Sequence, residues 1–134
     1  MTRIDEQWAR RWCEAMSSGD TQAALEFYAD DVEFEDVPFG ATAKGEGFLP
    51  VMEHFVGSGN NSFTFVRFSG GPEGAAVEAI WRASHQQDFL GVPAAGKQTE
   101  VRLVTVLGFD AEGRISRHCD YWDARAVLAQ LEPG

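Results

Sequence analysis

Three residues of this chain carry proton-transfer chemistry at positions where a solvent face has no use for it: Asp120, Asp36 and His85. Asp120 lies within RISRHCDYWDARAVLAQL, residues 114–131, which reads as a strand followed by a short helix and fed by the turn Asp110-Ala111-Glu112-Gly113. Side chains alternate along a strand, so Ser116, His118, Asp120 and Trp122 share one face. An acid flanked on its own face by a histidine and a tryptophan, near a strand end, is not a typical solvent face. Asp36 closes the alternating run Val32-Glu33-Phe34-Glu35-Asp36-Val37, and period two puts it with Val32 and Phe34 while Glu33 and Glu35 look outward. An acid on an apolar face is costly unless it is paired or functional. His85 extends the face of Val77, Ala79, Trp81 and Ala83 in the same way.

A carboxylate desolvated in an apolar cavity has a raised pKa, which brings its proton exchange towards neutrality. Asp120, Asp36 and His85 are therefore expected to converge on one cavity lined by Trp12, Phe39, Trp81, Leu103 and Trp122. Such a set could remove a proton alpha to a carbonyl, or deprotonate water, without metal or cofactor. Each member has an ordinary structural alternative. Asp120 or Asp123 could cap the helix that starts at Ala124, His85 could be a core histidine bonded to a carbonyl, and Asp36 could bond turn amides. The tryptophans would then be core.

No ligand spacing such as H-x-x-x-H is present, so no metal is expected. Gly-x-Gly occurs at 45–47 and 57–59 without the strand-to-helix context of a dinucleotide site.

The elements that must position these residues follow from periodicity. Ile4, Trp8, Trp12, Ala15 and Met16 predict an amphipathic helix over 4–18, with Thr2 and Asp5 resembling a capping box and Gly19 stopping it. Asp20 caps a second helix through about Tyr28. After the strand ending at Pro38-Phe39-Gly40, a loop leads to a third helix at roughly 47–57, where Pro50 is tolerated in the first turn. Strands follow at 62–69, 75–87 and 98–109, the last carrying Thr99, Val101, Leu103, Thr105 and Leu107 on one face. The order α-α-β-α-β-β-β-β describes an α+β fold, with three helices in the N-terminal half packed on a curved, mostly antiparallel sheet and a short helix at the C-terminus. A cavity between sheet and helices is the natural small-molecule site.

Composition agrees. The chain has 134 residues, enough for one domain with a real core, and is 44% hydrophobic and 12% aromatic. A net charge of −10 argues against a nucleic-acid partner, which needs clustered Lys and Arg. No apolar run is long enough to span a bilayer and the N-terminus is not signal-like, so a cytoplasmic protein away from membranes is expected. Cys13 and Cys119 are read as buried reduced thiols. In strand 62–69, Phe63 and Phe65 fall on one face and Val66 and Phe68 on the other; one helical layer cannot cover both, which predicts a homodimer.

Several stretches together resemble one superfamily. Ser18-Gly19-Asp20 with Tyr28-Ala29-Asp30-Asp31-Val32 resembles the opening of nuclear transport factor 2-like proteins. His85 through Phe89-Leu90-Gly91-Val92-Pro93 to Gly96-Lys97 resembles the H-x-x-x-F-x-G-x-P-x-x-G-K pattern of SnoaL-like polyketide cyclases, and Asp120-Tyr121-Trp122-Asp123 through Gln130-Leu131 resembles their C-terminal segment. The resemblance implies a cone-shaped fold with an internal cavity. It also implies that Asp120 is the proton-transfer acid of an intramolecular aldol closure, with His85 lining its pocket. The same Asp120 matches the water-activating acid of limonene-epoxide-hydrolase-like enzymes, whose Arg-x-Asp partner is replaced here by Ser84-His85-Gln86-Gln87. Ketosteroid isomerases carry their base in a segment similar to Phe34-Glu35-Asp36-Val37-Pro38-Phe39-Gly40, matching Asp36. Their oxyanion donors would fall at Trp12 and Thr105, a weaker pair. The expectation is a cofactor-free enzyme for a hydrophobic, oxygenated small molecule, a polyketide cyclase-like or isomerase activity. Asp120, His85 and Asp36 do the chemistry, and Trp12, Phe39, Trp81, Leu103, Thr105, His118 and Trp122 contact the substrate. Epoxide hydrolysis and a non-catalytic binding or dimerisation module are the alternatives.

Overall fold

The first helix starts where a carboxylate can hold its first turn: Asp5 Oδ1 accepts the backbone N–H of Trp8 at 3.0 Å, and α1 runs Glu6–Met16. The computed structural model describes residues 3–86, 91–93 and 96–132. Thr2, expected to share the cap, lies outside these. The helix is shorter than its periodic pattern, because Ser17 turns back to bond the Cys13 carbonyl and accept the N–H of Phe63. Trp8, Ala9, Trp12, Cys13 and Met16 form its buried stripe, with Trp8 and Trp12 stacked one turn apart, 6.2 Å between centroids.

Helix α2 is only Thr21–Leu25, capped by Asp20. It was expected to continue to Tyr28, but the Phe27 carbonyl accepts the N–H of Ile115 at 2.8 Å and Tyr28 opens a strand. Pairing with a distant segment overrides the local helical pattern. Strand β1 is Tyr28–Asp36, and a short strand β2, Ala41–Lys44, folds back on it inside the segment expected to be loop. The expected third helix is broken into a 3-10 turn at Gly45–Gly47, α3 at Phe48–Met52 and a π-helical turn at Glu53–Gly57. Phe48, Met52 and Val56 are its buried residues.

Strands β3 (Asn61–Gly71), β4 (Gly74–Ser84), β5 (Gln98–Phe109) and β6 (Ile115–Trp122) complete a curved, unclosed six-stranded sheet in the order β2-β1-β6-β5-β4-β3. β1 and β6 run parallel and the other neighbours antiparallel. β4 ends at Ser84, short of the expected 87, and residue 87 lies outside the described residues. The β3–β4 turn needs glycine: at Gly70, φ +116°, a Cβ would lie 2.2 Å from the Gly74 carbonyl oxygen.

One register expectation is corrected. The β3–β4 pairing slips between Phe65 and Arg67, opposing Phe65 to Ala79 and Phe68 to Val77, so Val66 is the bulged residue. Phe68 therefore rejoins Phe63 and Phe65 against the main core instead of sharing the outer face with Val66. Period-two reading carries no signal for an inserted residue.

Helix α4, Ala124–Leu131, begins at Asp123, whose Oδ1 accepts the N–H groups of Arg125 and Ala126. Its Val127 and Leu131 pack with Trp81, Ala83 and Leu103 in a second core cluster. The Gln130 amide exchanges two hydrogen bonds with the backbone of Glu100. No helix among the described residues is long and apolar enough to cross a membrane.

The cap sets a measurable stability. Asp123→Ala should cost about 1 kcal/mol and lower the melting temperature by about 4 °C, while Asp123→Asn should keep most of it. An unchanged melt for the alanine variant in circular dichroism would show that α4 does not depend on this cap.

Candidate active site

Parallel pairing of β1 and β6 places Asp36 beside Asp120 on neighbouring strands, in register, and the Val37 N–H extends the ladder to the Asp120 carbonyl at 3.0 Å. On the other side of β6, antiparallel pairing sets Thr105 opposite Asp120, Leu107 opposite His118 and Leu103 opposite Trp122. Both acids face a cavity of about 370 Å³ between the sheet, α1 and the α3 segment. All ten residues singled out from sequence line it: Asp120, His85, Asp36, Trp12, Phe39, Trp81, Leu103, Thr105, His118 and Trp122. The walls are mostly aromatic and aliphatic, and neither Lys nor Arg is among the described lining residues.

The two carboxylates sit in different environments. Asp120 Oδ1 accepts a 2.6 Å bond from the Thr105 hydroxyl and lies 2.8 Å from His118 Nε2. Asp36 is 5% exposed, and its Oδ1 accepts a hydrogen bond from the Trp122 indole N–H at 2.7 Å. Burial pushes the Asp36 pKa up from 3.8 to about 6; the Trp122 bond opposes this rise and the neighbouring Asp120 charge adds to it.

The histidine that hydrogen-bonds Asp120 is His118. Sequence reading gave the assisting part to His85, whose Nε2 instead meets Thr99 Oγ1 at 2.7 Å, with its ring edge-on to Trp81 at 6.3 Å. Burial lowers the His85 pKa, so His85 stands as a neutral wall of the cavity at pH 7. His118, read as a substrate contact, is 3% exposed and wrapped by Trp12, Tyr28, Phe34 and Phe48.

Phe39 and Trp81 each meet Trp122 edge-to-face, both at 5.1 Å, and Phe39 remains 40% exposed. Trp81 donates its indole N–H to Asn61 Oδ1 at 2.8 Å, and Asn61 in turn bonds the Phe55 carbonyl. Sequence reading missed Asn61, and it missed Tyr28, whose hydroxyl lies 2.8 Å from His118 Nδ1. Tyr28 was read as the last apolar residue of a helix, and its partner is 90 residues away in the chain. Among the described residues no cluster of three His, Cys, Asp or Glu could hold a metal ion.

The raised Asp36 pKa has a signed consequence for stability. The folded state holds a proton that the unfolded chain releases near 3.8, so stability is greatest below that value and falls as pH rises to about 6. Asp36→Asn keeps an acceptor for Trp122 and removes the charge. The variant should melt higher than the parent at pH 7–8 and lose that advantage towards pH 4. Parallel melting curves across this range would contradict a desolvated Asp36.

Comparisons with known proteins agree with this architecture. No curated protein matches the sequence. IdmH from Streptomyces antibioticus, a candidate polyketide cyclase, is similar at 26% identity and a TM-score of 0.70, covering 89% of this chain and 91% of that one. A candidate SnoaL-like polyketide cyclase from Shewanella denitrificans OS-217 shares the fold at 18% identity and a TM-score of 0.78, over 94% and 95% of the two chains. A hypothetical protein with a ketosteroid isomerase-like fold from Catenulispora acidiphila, solved with trimethylamine, shares it at 20% identity and a TM-score of 0.76, over 96% and 94%. The family model for SnoaL-like polyketide cyclase matches residues 6–131, nearly the whole chain with both acids and the cavity they face, and the protein belongs to that family.

Proposed function

We propose that this protein catalyses a cyclase- or isomerase-type proton transfer on an uncharged, hydrophobic, carbonyl-bearing small molecule, with Asp120 as base and Asp36 as acid. The observation that carries the reading is two adjacent carboxylates facing one cavity in unlike environments. Asp120 has two side-chain partners at Oδ1, whereas Asp36 is buried and holds its proton to about pH 6. Two carboxyl groups held in environments this unlike suit the separate parts of base and acid. The apolar walls, with neither Lys nor Arg among the described lining residues, favour an uncharged ligand over a carboxylate or phosphate.

In an aldol closure the steps balance as follows. Asp120 takes the proton from the carbon alpha to a carbonyl, and the C–H electron pair becomes the enolate. The enolate carbon bonds to a second carbonyl carbon of the same molecule, and the oxygen of that carbonyl takes the proton of Asp36. Proton exchange with water at the cavity mouth returns Asp120 to its ionised and Asp36 to its protonated form. His85, Trp81 and Leu103 shape the wall against which the chain of the substrate folds, and Phe39 with Trp122 borders the acids. Isomerisation uses the same first step and returns the proton to another carbon.

The protein is also proposed to work as a homodimer through the outer face of the sheet. There Val104, Val106 and Tyr121 adjoin across β5 and β6, with Val106 40% and Tyr121 47% exposed. The ion pairs Arg102–Glu78 and Arg117–Glu35 border this patch, so a second copy meets both signs of charge. Light scattering at micromolar concentration should give twice the monomer mass, and Val106→Glu should halve it; a monomeric parent overturns the dimer.

The catalytic reading is tested by deuterium exchange. In D2O, hydrophobic dicarbonyl compounds should exchange their alpha protons faster with the protein than without it, and Asp120→Asn should slow that exchange about a hundredfold or more with little change in melting temperature. Exchange by the Asn variant at the parent rate would remove Asp120 from the mechanism. Diol formation from hydrophobic epoxides with no carbonyl exchange would replace this reading with epoxide hydrolysis, and binding without turnover would leave a binding module.

A further inference from the structure

Behind Asp120, buried polar groups join His118 and Trp12 of the cavity wall to Tyr28 in the core. Trp12 Nε1 lies 3.2 Å from the Tyr28 hydroxyl oxygen, that oxygen lies 2.8 Å from His118 Nδ1, and His118 Nε2 lies 2.8 Å from Asp120 Oδ1. Tyr28 itself is 4% exposed and does not line the cavity. A hydrophobic core can be filled without three polar side chains in series, so the series calls for a reason.

The direction of the bonds can be worked out from the one member that has no choice. An indole N–H only donates, so the Tyr28 oxygen is an acceptor from Trp12. The single Tyr28 proton then goes either to His118 Nδ1 at 2.8 Å or to the Met16 sulfur at 3.7 Å, and a thioether is the far weaker acceptor. With Nδ1 accepting, a neutral imidazole carries its proton on Nε2 and donates it to Asp120. Every proton in the series has one acceptor, and no buried side-chain nitrogen or oxygen among the described residues is left unpaired.

From this geometry we infer that Tyr28 is a positioning residue that acts through His118, holding it as the neutral Nε2–H tautomer so that Asp120 is oriented by a hydrogen bond and left free to act as base. The inference rests on the proposed role of Asp120. A proton on Nδ1 would make His118 an imidazolium in an ion pair with Asp120, and an ion-paired carboxylate is a weaker base. A proton on Nδ1 would also leave Trp12 and His118 both donating to the one Tyr28 oxygen and turn the phenol proton to the distant Met16 sulfur. The groups facing the pair are Tyr28 from β1, Thr105 from β5, Trp12 from α1 and the Asp36 carboxyl from β1.

Nitrogen-15 NMR of the imidazoles reads the tautomer directly, without substrate. The chain has three histidines, and loss of one set of signals in His118→Gln assigns the third. The parent protein at pH 7 should show a pyridine-type Nδ1 and a pyrrole-type Nε2 for His118. Two pyrrole-type nitrogens, or the reverse tautomer, would overturn the inference whatever the activity of the protein. In Tyr28→Phe, which removes one oxygen, the Nδ1 signal should move towards the protonated type, and kcat for carbonyl exchange should fall about tenfold with KM little changed, the scale of one hydrogen bond. An unchanged His118 spectrum in a folded Tyr28→Phe would equally overturn it. Because these spectra need no substrate, they stand or fall separately from the Asp120→Asn turnover test.

Discussion

The parallel pairing of the first and last strands governs this molecule. Tyr28 meets Ile115 at one end and Asp36 meets Asp120 at the other, with an irregularity between Tyr28 and Glu33. That pairing stops α2 short, opens β1 at Tyr28 and sets two acids side by side. It also joins chain segments more than 80 residues apart, so its loop-closure entropy must be met by the core that forms around it. The N-terminal helices contribute most of that core: Trp8, Trp12, Met16, Phe48 and Met52 pack on the inner sheet residues Phe34, Val77 and Leu107.

The cavity gathers its two acids at one place within walls that are mostly apolar, and those walls make the acids matter. Removing water from a carboxylate strengthens each remaining interaction, since the effective dielectric around it falls. For Asp36 the result is a raised pKa, because one indole N–H does not replace the lost hydration. For Asp120 the Thr105 hydroxyl and His118 stand where water would have stood. The difference between two neighbouring residues of one type thus comes from their partners on β5 and β6 rather than from their own chemistry.

Much of the local structure was legible because it is encoded by short-range physics. The caps at Asp20 and Asp123, the buried stripe of α1 and the alternating faces of β1, β4 and β5 all follow from neighbours a few residues apart. Asp36, His85, Asp120, Trp81 and Trp122 were found the same way, as polar or large aromatic side chains on strand faces shared with core residues, while Trp12 came from the helical period of α1. Where the local signal was absent, the reading failed. The bulge at Val66 turned Phe68 inward, and the segment expected as one helix at 47–57 divided into three kinds of turn.

By itself, then, the sequence determined the α+β class, the order of most elements and the inward direction of Asp36, His118 and Asp120, because side-chain alternation and capping are properties of consecutive residues. Only the tertiary structure decided which of those residues touch. Nothing near Asp120 in the chain says that Thr105 and Tyr28 stand on either side of the Asp120–His118 pair, or that His85 turns to Thr99. Such contacts are set by strand register, which depends on the whole packed core and not on any window of sequence.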